Sequence, residues 1–165
     1  MKITTEIATE CSDWHSKQAI NTELFANITQ NILNRYGCFK VASDLELSVL
    51  LTDDAKMQSL NKEFRGVEKS TNVLSFPDLE INWQELLEFQ PDGDYIYLGD
   101  IAFGYETVAA EAKNKMISFE DHFKHLLIHA ILHLIGYDHV DDEDAQIMEA
   151  LEIEILSNYN IKSPY

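Results

Sequence analysis

His129-Ala130-Ile131-Leu132-His133-Leu134-Ile135-Gly136-Tyr137-Asp138-His139 is the stretch on which the reading of this chain turns. Residues i and i+4 of a helix stand one above the other on the same face, so His129 and His133 can aim two imidazoles at one point. Gly136 offers the helix a stop, because glycine accepts the left-handed conformation of a helix C-terminus. The chain can then fold back and bring His139 to the same place. Three neutral imidazoles converging, with a fourth position open, is how a catalytic zinc site is built.

Leu126, Leu127, Ile128, Ala130, Ile131, Leu132, Leu134 and Ile135 point in nearly every direction around this helix. Apolar on all sides, it belongs in a core, and histidine supplies its only polar stripe. A buried imidazole needs a hydrogen-bond partner or a metal. An isolated i, i+4 pair would be read as core histidines satisfied by carbonyls. Three at this spacing around a glycine point to metal. His122 and His125 fall near the same stripe, two turns and one turn earlier respectively. Because His139 follows the helix C-terminus, it reaches the last turns and not the first. His125 is therefore expected to orient a ligand or serve structure, and His122 to face solvent near the helix start.

The 165 residues suit one domain spanning 1–165, and a charged content of 25% beside a hydrophobic content of 45% is that of a globular protein. The first residues lack an apolar signal segment, and no run is long enough to cross a membrane. Cys11 and Cys38 lie far apart and suggest a reducing compartment, with the cytoplasm expected. The net charge of −17 argues against a general nucleic-acid binder. Yet Lys56, Lys62, Arg65 and Lys69 cluster, either as an ordinary solvated face or as a small basic patch.

Helices are expected over Thr22 to Tyr36, from Asp53-Asp54 to Phe64, from Gly104 or Tyr105 to Lys113, from Ser118 through the histidines, and from Asp141 to Leu156. Strands are expected over Leu45 to Leu51, Thr71 to Phe76, and Tyr95 to Phe103, the last broken by Gly99-Asp100, with a weak signal before residue 15. Residues 78 to 94 read as a flap or a short helix. Asp141-Asp142-Glu143-Asp144 either bind a second metal or oppose the positive helix N-terminus. Strands alternating with helices give the fold class: α/β (α+β), a small mixed sheet packed with helices, one of them buried, central and carrying the metal ligands.

The motif His129-xxx-His133-xxxxx-His139 resembles the signature of the YbeY family, bacterial metal-dependent endoribonucleases and ribosomal RNA maturation factors. Phe64-Arg65-Gly66, the run Lys69-Ser70-Thr71-Asn72-Val73-Leu74-Ser75-Phe76-Pro77, and Leu98-Gly99-Asp100-Ile101 resemble other segments of that family, in order, over roughly residues 45 to 155. The resemblance implies one zinc per chain on His129, His133 and His139, a functional Arg65, and action on single-stranded RNA in maturing the small-subunit ribosomal RNA. Ala130 stands where glycine is common and Ser70 where proline is common. Neither change removes a reactive group.

Zinc proteases with paired helical histidines carry a glutamate directly after the first; here that position is Ala130, so a protease would lack its base. With phosphodiesters as substrate, charge builds on the non-bridging oxygens, which suit the paired planar donors of a guanidinium. Without the resemblance Arg65 would read as a surface arginine; with it, Arg65 and His133 are the expected catalytic residues. Lys62, Arg65 and Lys69 are expected to hold phosphates. Asp138 is expected to orient a histidine N–H, a part that Asp100 could share. Thr71, Asn72 and Ser75 should line the cleft. Nickel, copper or cobalt would also suit three imidazoles. Two other readings stand beside the nuclease: a non-catalytic ribosome-assembly factor with a structural metal, and a metal-dependent hydrolase of another substrate. The expected partners are ribosomal RNA and the small ribosomal subunit, or a basic ribosomal protein that lets an acidic chain approach RNA. No membrane is expected.

Overall fold

The alternating Leu45, Leu47, Val49 and Leu51 are all buried on one face of a strand, β2 (Asp44–Thr52), in the computed structural model, which describes residues 1–165 apart from the side chain of Val41. The strands β1 (Lys2–Thr9) and β4 (Tyr95–Gly104) flank β2 in parallel, and β3 (Val73–Pro77) runs antiparallel beside β4, giving the order β1-β2-β4-β3. The sheet is mixed, as expected. The weakly signalled β1 pairs from Lys2 opposite Asp44 to Thr9 opposite Leu51. Its Thr and Glu residues sit on a half-exposed edge, which is why its pattern is faint.

Gly99-Asp100 was expected to break the third strand, but β4 runs through it with a bulge. Glu46 pairs with Tyr97 and Ser48 with Asp100, so one extra residue sits on β4. Gly99 has φ +130°, and a Cβ there would come within 2.2 Å of the Phe76 carbonyl oxygen. Leu98 and Ile101, three apart, therefore both point into the core.

Five helices cover the sheet. The first, α1 (Thr22–Leu33), is capped by Asn21, whose side chain accepts from the Leu24 N–H. It ends short of the expected Tyr36, which instead turns inward to place its hydroxyl 2.8 Å from that of Tyr137. Next come α2 (Asp54–Arg65), α3 (Tyr105–Lys115), α4 (Phe119–Leu134) and α5 (Asp142–Ser157). Asp53, Ser118 and Asp141 cap α2, α4 and α5 by accepting from backbone N–H groups three positions on. Against one face of the sheet, α1 and α4 form the main core, where Phe123 of α4 meets Trp14, Phe25 and Phe103. On the other face α2 lays Met57 and Leu60 over Leu50, Leu74 and Ala102.

Residues 78 to 94 carry one short 3-10 helix, Trp83–Glu85, closed by a capping box between Asn82 and Glu85. The segment is packed down: Leu86 is buried, and the Trp83 ring stacks on Tyr137 at 5.5 Å. The acidic run at the start of α5 is used locally, Asp141 as cap and Asp144 as acceptor for the Trp83 indole N–H.

Candidate metal centre

Most of α4 is buried, and its last two turns present the half-buried His129 and His133 at a polar opening. The helix stops at Leu134, Gly136 turns the chain at φ +94°, and His139 comes back to meet the other two. One ring nitrogen from each of the three lies within 4.8 Å of the others. His129 Nδ1 donates to Glu152 Oε1 at 2.5 Å, and His133 Nδ1 to the Tyr137 carbonyl at 2.9 Å. A carboxylate and a carbonyl only accept. Both Nδ1 atoms therefore carry the proton, and both Nε2 atoms present bare lone pairs. Those two Nε2 atoms stand 3.0 Å apart. Facing lone pairs repel unless a cation lies where they point, so the donor set fits a metal bound by nitrogen. Burial, with the closeness of the His129 and His139 rings, brings His133 down to about 4, which leaves it neutral and free to ligate at pH 7.

Glu152 was not singled out on the sequence. It is fully buried on α5 and accepts two hydrogen bonds, from His129 and from the Tyr165 hydroxyl, while His125 Nε2 stands 3.6 Å away. Burial pushes its carboxyl up, but His125 and His129 outweigh that and hold it down to about 2. A signal did exist. Met148, Glu152 and Ile155 form the buried stripe of α5, so a glutamate occupies a core position.

Arg65, the last residue of α2, reaches the same opening. It lines a cleft of about 280 Å³ with Asn61, Thr71, Asn72, Ser75 and the three histidines, and an adjoining one of about 390 Å³ with Leu79, Asn82, His133 and Asp138. Three elements thus supply the site: the end of α2, the edge strand β3, and the end of α4 with its return loop.

A family model described as "Endoribonuclease YbeY" matches residues 10–160. The chain belongs to the YbeY family. A curated relative, "Endoribonuclease YbeY" of Sphingopyxis alaskensis, is 49% identical over 121 residues, covering 73% of this chain and 71% of its own. The fold is similar to the solution structure of TM1509 from Thermotoga maritima, with TM-score 0.52 and 22% identity, over 95% of this chain and 92% of that one.

In this YbeY-family chain the remaining expected residues divide. Asp138 is exposed and accepts from the backbone N–H of His139 at 2.8 Å, so its hydrogen bond fixes the return loop, not a ring. Lys62 pairs with Glu68 at 3.1 Å on the surface, and neither it nor Lys69 is among the residues lining the two clefts at the triad. Asp100 lies away from the triad, lining a cleft of about 570 Å³ on the α2 side of the sheet with Glu6, Ser48 and Phe64. His122, expected at solvent, is 1% exposed and lies 2.6 Å from Glu111 Oε2. The N-terminal turn of α4 is roofed by α3, which supplies that carboxylate. Among the described residues no helix is long and apolar enough to cross a membrane.

Proposed function

We propose that this chain is a zinc-dependent endoribonuclease that cuts single-stranded RNA and acts in the cytoplasm on the 3′ end of small-subunit ribosomal RNA during maturation and quality control of the ribosome. The carrying observation is the pair of Nε2 lone pairs 3.0 Å apart in a cleft shared with Arg65. Family membership and the printed activity of the Sphingopyxis relative support the substrate class.

His129, His133 and His139 would hold the metal, and nickel, copper or cobalt suit the same three nitrogens. When bound, the metal supplies Lewis-acid polarisation of a phosphoryl oxygen and lowers the pKa of water. Glu152 and the Tyr137 carbonyl keep the His129 and His133 rings in the ligating tautomer. Arg65 offers two parallel N–H donors to the non-bridging oxygens of the scissile phosphate, whose charge grows in the transition state. Asn72, Thr71 and Ser75 provide the polar wall against which the strand lies. Lys69, and Lys62 when released from Glu68, hold phosphates further along. Since the chain carries −17, its approach to RNA is best served by docking on the small subunit through a basic ribosomal protein.

Zinc-loaded protein incubated with a single-stranded RNA oligonucleotide, and with the same sequence as a duplex, tests the reading beside a His133→Ala control. Internal cuts in the single strand alone, absent from the control, are expected. Tight zinc binding with no cleavage would instead favour the assembly-factor reading.

A further inference from the structure

The site holds a carboxylate that the proposed chemistry leaves without a stated purpose beyond tautomer choice. Glu152 is fully buried in the core stripe of α5, where leucine or methionine would be the ordinary occupant. A buried carboxylate is costly unless donors surround it. Every donor around it comes from the metal side of the molecule. His129 Nδ1 reaches Oε1 at 2.5 Å, the Tyr165 hydroxyl reaches Oε2, and His125 Nε2 stands 3.6 Å from that second oxygen. The Tyr165 ring packs edge-on to His125 at 5.7 Å, with its hydroxyl 3.3 Å from His125 Nε2. With the Tyr165 proton given to Glu152, the phenolic oxygen is left to accept from His125. The chain of bonds then runs from His125 through Tyr165 to Glu152 and on to His129.

We propose that Glu152 is a positioning residue for the metal ligand His129, and that Tyr165 and His125 lock the carboxylate in place for that purpose. Resting on the metal reading above, this adds the cause of one ligand's geometry. The carboxylate fixes the proton on Nδ1, turns Nε2 toward His133 and His139, and makes Nε2 a stronger donor. Partners of this kind behind a ligating histidine typically set metal affinity by about 10- to 100-fold. Tyr165 has a smaller part, because His129 still donates directly to the carboxylate without it.

Two measurements on the full chain separate this from a purely structural role, and neither uses RNA. The first is competitive zinc titration of the wild type, Glu152→Gln and Tyr165→Phe. Zinc affinity is expected to fall about 10- to 100-fold in Glu152→Gln and less in Tyr165→Phe, while the metal-free melting temperature of Glu152→Gln stays near the parent's. The second is the nitrogen-15 tautomer signature of His129 in the metal-free chain. It should show Nδ1–H in the wild type and a shifted equilibrium in Glu152→Leu, which fills the same core position without an acceptor. Unchanged zinc affinity in Glu152→Gln, or an unmoved tautomer in Glu152→Leu, overturns the proposal. If the wild type itself takes up no zinc, it is the metal reading that has failed.

Discussion

At the scale of single residues, Arg65 and the histidines make separable predictions. Arg65 is exposed, ends a helix and packs into no core, so Arg65→Ala should keep fold and metal. Losing one well-placed donor to developing charge costs about 3 kcal/mol, on the order of a hundredfold in rate. Single-turnover cleavage should show that loss, and Arg65→Lys should restore only part, because an ammonium lacks the paired planar donors. Parent-rate cleavage by Arg65→Ala would remove the guanidinium from the mechanism. Elemental analysis of protein purified without added metal should find one zinc per chain, lost in His139→Ala and kept in His122→Ala and His125→Ala. His139, His133 and Arg65 were legible because the motif spacing and the family segments name them. Glu152 was not, since its partners lie 23 residues upstream and 13 downstream, and a lone glutamate on a helix ordinarily faces water.

At the scale of elements, the turn after α4 carries the most consequence. A Cβ on Gly136 would stand 2.3 Å from the Ile81 carbonyl, at a φ of +94° that other residues rarely adopt. Gly136→Ala should therefore cost about 2–3 kcal/mol of stability in chemical unfolding and weaken zinc binding, because His139 hangs from that turn. A variant as stable as the parent would show that the turn can relax. Gly136 as a helix stop could be read in the sequence, and so could the caps at Asp53 and Ser118, because they depend on neighbours in the chain. The bulge at Gly99 and the early end of α1 could not. Both depend on residues distant in sequence: the Phe76 carbonyl beside Gly99, and the Tyr137 hydroxyl that draws Tyr36 inward.

For the molecule as a whole, carboxylates held by hydrogen bonds inside the fold set part of the response to pH. Burial pushes the Glu111 carboxyl up, but hydrogen bonds from His122 and Asn72 outweigh it and hold the group below its usual 4.5. A carboxyl depressed on folding stabilises the folded chain above its unfolded value and loses that contribution as pH falls through the folded one. Metal-free wild type should thus melt above Glu111→Gln at pH 6 to 7, with the gap closing as the pH drops below about 4. A gap that persists or widens in acid would contradict the sign. The mixed sheet and its helical cover were readable from alternation and periodicity. Which face of the sheet α2 would take was not, because apolar residues occur on both faces of β2 and β4 and only the packing of Met57 and Leu60 decides it.

The docking of Trp83 on Tyr137 has a consequence for how the gene can be edited. Residues 81 to 86 are pinned by the Trp83 N–H to the Gly136 carbonyl and by buried Leu86, while Asp94 is held by the backbone of Ser43 and Asp44. Between these anchors Asp92-Gly93 is exposed and bears no such tie. A flexible Gly/Ser insert or a protease cleavage sequence placed there should be accepted with zinc affinity unchanged, whereas the same insert after Asn82 should abolish it. The span between β3 and β4 thus divides into a stretch that should accept added length and one that should not.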